Sequence, residues 1–359
     1  MPTPSSPHVA LRCDASPRIG VGHLVRCLAL ADGLLARGWS VTLVGSVTGI
    51  PWVEDEVGGR GIQTLDAPDD PGTLAALLDE IGCAAIVLDG YHLDRGTGAA
   101  LRSRGTVVLA VVDGTWGADQ EADLYLDQNL DAGPVDGPQV PPEAGQLLGL
   151  PHVLFRDSVL DQRRHRPEAT GRPPRVLTVF GGTDAQGAAP VVVPLVLATG
   201  MPVHVVAIAA TDDLAIALRQ LADAGSLAAG AHLEVRSPTP DLAVLAAGCD
   251  LVVTAAGTSV WELLCLGAPA ALVRVAENQR VGYDAVMGRD VAVGLGSLDD
   301  LRDDEAAREH AVATLRDALS DPVGARRRAD AGQALVDGRG RDRVVEALER
   351  AVAARGAAA

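Results

Sequence analysis

Short, almost wholly apolar runs alternate with amphipathic stretches through this chain, and the alternation starts afresh halfway along. No other feature restricts the fold as much. In the first half the runs are His8 to Arg12, Trp39 to Val44, Gly61 to Leu65, Ala84 to Tyr91, Thr106 to Asp113 and Ala122 to Asn129. Between them, Leu24 to Gly38, Thr73 to Ile81 and Asp94 to Arg104 carry apolar residues at helical spacing. In the second half the runs are Arg175 to Phe180, Pro202 to Ala209, His232 to Arg236, the DLVV run after Cys249, and Pro269 to Val275. Helices are expected at Asp212 to Ala224, at Asp241 to Cys249 and after Gly257. Strands apolar on both faces, separated by helices, predict parallel sheets covered on both sides. The expectation is an α/β chain of two Rossmann-like, doubly wound domains facing each other across a cleft. Their bounds are residues 1–157 and 175–359. A charged, Pro- and Gly-containing linker, 158–174, separates them, and the second domain ends in a helical tail.

The chain has 359 residues, of which 48% are apolar and 3% aromatic, so each half can build a core of Leu, Val and Ala. Its net charge is −17 and all 30 basic residues are Arg, which excludes a Schiff-base or Walker lysine. The acidic balance argues against a nucleic-acid partner. An anionic ligand must be held by local Arg, backbone N–H groups and helix N-termini. The five cysteines are scattered, with no CxxC pair, the usage of a reducing cytoplasm. The N-terminal MPTPSSPHVA lacks the basic and apolar regions of a signal peptide. Ala185 to Thr211 is uncharged, but Pro190, Pro194 and Pro202 interrupt it, so a helix, a turn and a buried strand are expected there rather than a membrane span.

Candidate functional residues gather at strand-to-helix turns. After the first strand come Gly20, Gly22 and His23, at the start of a helix that also carries Arg26. Glycines permit positive φ and close approach, and a helix N-terminus offers unpaired N–H groups. The same pattern also reads as a tight turn, and it is not a dinucleotide fingerprint, because no third Gly follows at the right spacing. Asp14, Asp89, Tyr91, Asp113 and Asn129 fall at or just past strand ends, the edge where ligands bind in such sheets. In the second half, Gly181-Gly182-Thr183 and Gly257-Thr258-Ser259 are candidate phosphate cradles. Glu262 fits either a ribose hydroxyl acceptor or a capping box with Ser259, and Asn278-Gln279 either a ligand contact or a polar loop.

Several of these strings together resemble one family. RCDASPRIGVGHLVRC (Asp14, Ser16, Gly20, Gly22, His23, Arg26 and Cys27), LDGYHLD, VVDG, LDQN, LLGLPHVLFRD, LTVFGGTD, AAGTSVWELLCLGAP and AENQ are similar to blocks of the UDP-sugar hydrolases of pseudaminic acid biosynthesis. That family includes proteins labelled spore-coat polysaccharide biosynthesis proteins and is distantly similar to the lipid II GlcNAc-transferase. The blocks span roughly Arg12 to Gln279. The resemblance implies a GT-B fold, UDP on the C-terminal domain, catalysis at the N-terminal loop, and neither metal nor cofactor. It implies that His23 is catalytic and that Gly181 to Thr183, Ser259, Glu262 and Asn278 contact the nucleotide. Within LDGYHLD His92 itself follows no pattern of the family, and Arg95 to Gly105 and the tail after Leu298 match no block.

The expected activity is hydrolysis of a UDP-sugar at its anomeric carbon, in biosynthesis of a modified sugar or polysaccharide. His23 is the general base and Asp14 or Tyr91 orients it. Gly20, Gly22, Arg26 and Asp89 are expected around the substrate. One alternative is a glycosyltransferase with the same donor, and another is a non-catalytic nucleotide-sugar sensor. The expected partner is a small-molecule UDP-sugar in the cytoplasm.

Overall fold

The computed structural model describes residues 6–163, 171–223 and 227–358. Residues 164–170 of the expected linker and Ala224, the expected end of a helix, lie outside the described residues.

The chain divides into two compact units, one running up to Arg156 and resuming at Gly338, the other spanning Asp157–Asp337. In the first unit, β1 (His8–Arg12), β2 (Ser40–Val44), β3 (Gln63–Leu65), β4 (Ala85–Leu88), β5 (Val107–Val112), β6 (Leu124–Asp127) and β7 (Gly145–Leu148) form one sheet. Its order is β3-β2-β1-β4-β5-β6-β7 and its pairings are parallel. Successive side chains enter opposite cores. Val9, Leu11, Leu43, Val87 and Leu109 pack under the helix Gly22–Ala36 through Leu24, Leu28 and Leu34. Ala10, Val44, Ile86, Leu88 and Val108 pack against Leu74, Leu78 and Leu101 on the other face. Burial on both faces is why these strands read as unbroken apolar runs.

The second unit repeats the plan. Strands β8 (Arg175–Val179), β9 (His204–Ile208), β10 (His232–Arg236), β11 (Leu251–Ala255), β12 (Ala270–Arg274) and β13 (Val293–Ser297) lie parallel in the order β10-β9-β8-β11-β12-β13. Each unit is thus a doubly wound parallel sheet, as the alternation requires.

Several local expectations differ from the structure. The helix Pro51–Gly59 and strands β7 and β13 escaped the sequence reading. β7 is half-exposed, and β13 reads VGLGS, whose glycines weaken a strand signal. Part of the expected linker, Asp157–Gln162, is a helix with Val159 buried, and it belongs to the second unit. The tail does not stay with the second half as expected. Helix Gly340–Ala358 returns to the first unit, where Val344, Val345 and Leu348 join the core beneath helix Gly22–Ala36. Arg37 bonds Glu349 at 3.0 Å, and Arg355 pairs with Asp123. Val344, Val345 and Leu348 form a short helical stripe that needs a partner surface, and the first helix supplies it. The uncharged run resolves into helix Ala189–Leu197, a turn and β9. Among the described residues no helix is long and apolar enough to cross a membrane.

Candidate functional site

In the first sheet the strand order reverses between β1 and β4, so the connections after them leave in opposite directions and open a crevice at their tips. Arg12 ends β1 beside Leu88, which ends β4. Asp89 is the first residue past that tip, and its N–H donates to the Arg12 carbonyl at 3.0 Å. From the other side, Gly20 at φ +88° turns the chain into helix Gly22–Ala36. Only glycine adopts that conformation without strain. Val21 caps the helix without a side-chain bond, and its first turn carries no acid of its own.

His23 and Arg26 lie three residues apart on one face of this helix and both reach Asp89. The His23 Nδ1–H donates to Asp89 Oδ1 at 2.6 Å; Arg26 donates from Nη2 to Oδ1 and from Nε to Oδ2, each at 2.5 Å. Asp89 is 1% exposed and His23 7%. Burial alone would push the Asp89 carboxyl up, but the Arg26 charge and the bonds from Arg26 and His23 outweigh it and hold the carboxyl well below its usual range. Burial likewise works against the Arg26 charge, and Asp89 overcomes it, so Arg26 stays charged above its ordinary value. An ionised acceptor at Nδ1 assigns the proton to that nitrogen and leaves the lone pair on Nε2. Arg26 Nη2 also lies 3.0 Å from Nδ1, where two donors converge on one oxygen. Among the described residues nothing hydrogen-bonds Nε2, the nitrogen left to take a proton.

This geometry corrects two expectations. Asp14 does not orient His23: its Oδ1 accepts from the Ser46 N–H at 2.7 Å, and its Oδ2 is shared by Arg12 at 2.8 Å and His92 at 2.7 Å. Tyr91 stands edge-on to the imidazole, ring centroids 4.7 Å apart at 82°, while its hydroxyl donates to Asp113. Burial, with the Asp113 carboxylate next to it, pushes that phenol up. The carboxylate that bonds His23 is Asp89, and Arg26 pairs with it through Nε and Nη2. The strand stops at Leu88 and places Asp89 at the tip, where the sequence expects it; its bond to His23 is what the sequence does not show. Trp116, packed on Tyr91 with centroids 4.8 Å apart, carried no sequence signal beyond a lone aromatic in a Gly-flanked turn.

In the second unit the order reverses between β8 and β11. Gly181, Gly182 and Thr183 follow β8; Gly257, Thr258 and Ser259 follow β11 and open helix Ser259–Leu266. The two loops therefore leave adjacent strand tips. Gly181 has φ +68°. Asp184, just beyond, accepts the Ala188 and Ala189 N–H groups at 2.7 and 3.0 Å and so caps the next helix. Ser259 lies inside its helix, behind Thr258, which makes no side-chain cap, so the capping box with Glu262 is not formed. Glu262 is half-buried on the first turn of that helix. Asn278 is exposed past β12, whereas the Gln279 Oε1 accepts from the Val275 N–H at 3.0 Å and is a structural loop contact. Among the described residues no three His, Cys, Asp or Glu side chains group as metal ligands.

Two doubly wound parallel units, each with its own switch-point crevice, define the GT-B class of fold. The chain is similar over most of its length to solved structures of that class. MurG of Acinetobacter baumannii is 17% identical with a TM-score of 0.70, covering 96% of this chain and 99% of that one. The spinosyn rhamnosyltransferase SpnG is 16% identical (TM-score 0.59; 95% and 100% covered). LpCGTa, solved in complex with UDP, is 16% identical (TM-score 0.60; 97% and 99% covered). No protein-family model and no curated protein sequence matches the chain.

Proposed function

We propose that the chain is a nucleotide-sugar enzyme in which His23, oriented by Asp89, deprotonates a hydroxyl that attacks the anomeric carbon of a UDP-sugar. The observation that carries this reading is the buried 2.6 Å contact between His23 Nδ1 and an ionised Asp89. The attacking O–H proton goes to Nε2, the new O–C1 bond forms, and the C1–O bond to UDP breaks with its electron pair leaving on the diphosphate. Arg26 keeps Asp89 ionised. The Gly181 and Gly257 loops hold the diphosphate through backbone N–H groups, preorganised donors for the charge that builds on the leaving group. Glu262 accepts ribose hydroxyls, and Asn278 adds a polar contact.

Transfer to an alcohol acceptor is the reading we favour, because the similar structures include a named rhamnosyltransferase and a protein holding UDP. Hydrolysis is the second reading, favoured by the blocks resembling pseudaminic acid pathway hydrolases; it uses the same base with water as nucleophile. UDP release from a panel of UDP-sugars, with and without added alcohols, separates them. Acceptor dependence supports transfer and release in buffer alone supports hydrolysis. Tight binding without release under either condition leaves a sensor.

Two further outcomes are expected. Glu262→Gln should weaken UDP binding about tenfold, the loss of a charge-assisted hydrogen bond of about 1.5–3 kcal/mol offset by the remaining contacts. Calorimetric titration with UDP checks this, and unchanged affinity in a folded variant removes Glu262 from the ribose site. Turnover should also survive excess EDTA, since the diphosphate is assigned to backbone donors. Loss of activity restored by Mg²⁺ or Mn²⁺ would contradict that assignment.

A further inference from the structure

Aromatic residues make up 3% of this chain, yet two of the largest stand exposed beside His23: Tyr91 is 41% and Trp116 43% exposed. The rings form a row, imidazole to phenol at 4.7 Å and phenol to indole at 4.8 Å. Trp116 is held in place rather than left on a loose loop. Asp113 and Trp116 exchange backbone hydrogen bonds of 3.1 and 3.2 Å, and the Tyr91 hydroxyl ties to the Asp113 carboxylate. Gly117, at φ +76°, folds the turn onto β5 so closely that a Cβ there would lie 2.1 Å from the Val111 carbonyl oxygen. A fixed, solvent-facing aromatic surface next to a proton acceptor has the form of a stacking platform.

The chemistry of its surroundings selects that ligand. The charged groups around the platform are the carboxylates Asp113 and Asp89 and the Arg26 guanidinium, whose charge Asp89 balances, so Asp113 leaves the platform net acidic. A phosphate is therefore disfavoured and a neutral molecule preferred. Whatever delivers its hydroxyl to Nε2 must sit within about 2.6–3.2 Å of it, and the rest of that molecule then lies beside Tyr91 and Trp116. A pyranose ring has an apolar C–H face for an indole and hydroxyls around its rim. We infer that Trp116, with Tyr91, is the acceptor platform of this enzyme and that the acceptor is a neutral pyranoside. This rests on the proposed role of His23 as the base.

The experiment measures UDP release against a panel of methyl pyranosides (glucose, galactose, mannose and N-acetylglucosamine) for the wild type, Trp116→Ala and Trp116→Phe. In parallel, tryptophan emission is titrated with the same glycosides. Of the four tryptophans, Trp39 and Trp261 are buried and Trp52 half-buried, so Trp116 reports the platform. The expected result is a pyranoside-stimulated rate whose acceptor KM rises about tenfold in Trp116→Ala, with partial recovery in Trp116→Phe and a much smaller change in donor KM. Saturable quenching of emission should vanish in Trp116→Ala. An unchanged acceptor KM, or a rise in donor KM instead, overturns the platform while leaving the base intact. UDP release indifferent to every pyranoside also overturns it and points to water as nucleophile. If the wild type releases no UDP at all, the reading of His23 fails, and the emission titration then decides alone: quenching lost in Trp116→Ala supports the platform and flat emission overturns it.

Discussion

His23→Asn is expected to slow UDP release by about 10²–10⁴-fold, the usual loss on removing a positioned general base. The variant should fold. Its amide N–H can still donate toward Asp89, and Arg26 still neutralises that carboxylate through two bonds of 2.5 Å. UDP affinity should hardly change, because the nucleotide is assigned to loops of the second unit. Steady-state release kinetics and UDP titration on the same preparation separate the two quantities. Near-normal turnover would make His23 a structural residue of the helix start. Parallel loss of rate and UDP binding would make it a ligand contact.

Asp89→Asn should cost as much in rate and should also weaken the fold. An amide at this position can present N–H to Nδ1, which moves the ring proton to Nε2 and removes the base. It also strips the buried Arg26 guanidinium of its counter-charge, and breaking such a pair by deleting one partner typically costs about 3–5 kcal/mol. Chemical denaturation measures that loss. The double variant Asp89→Asn/Arg26→Met removes the orphaned charge and should regain most of the stability without regaining the rate. If rate returns with stability, Asp89 is only a folding residue. The pH dependence has a definite sign. Folding lowers the Asp89 pKa from its ordinary 3.8, so below that value the unfolded chain binds the extra proton. The ion pair's contribution is therefore complete above about pH 4–5 and is lost as the pH falls toward the depressed folded value. The wild type should lose more stability than Asp89→Asn on acidification through that window.

How much of the site could be read beforehand depends on which residues lie close in the chain. His23 and Arg26 share one helical turn, and the glycines before them mark a turn at a strand tip, so the sequence places these together. Asp89 lies 66 positions from His23. Its nearness follows from β4 pairing with β1 in the register Arg12 to Leu88, a long-range pairing that spacing within a run cannot reveal. Asp14, two residues past β1, and Tyr91 are the orienters the sequence suggests. The backbone turns Asp14 instead toward Ser46, Arg12 and His92. The capping-box reading of Glu262 failed for a similar local reason: the helix begins at Ser259, not after it, and the box is one residue out of phase.

By itself the sequence determined the architecture of two doubly wound parallel sheets, because strands buried on both faces are apolar at most positions and helices are apolar along one stripe. It also determined the glycine-marked turns where strands give way to helices, since positive φ restricts residue type. Only the tertiary structure decided which carboxylate bonds His23, that Arg26 pairs with it, that Tyr91 and Trp116 line up beside the imidazole, and that the last helix closes the first unit's core. Each of these is a contact between segments far apart in the chain. Such contacts are set by sheet order and register, which emerge from packing the whole unit and leave no periodic trace in any one stretch.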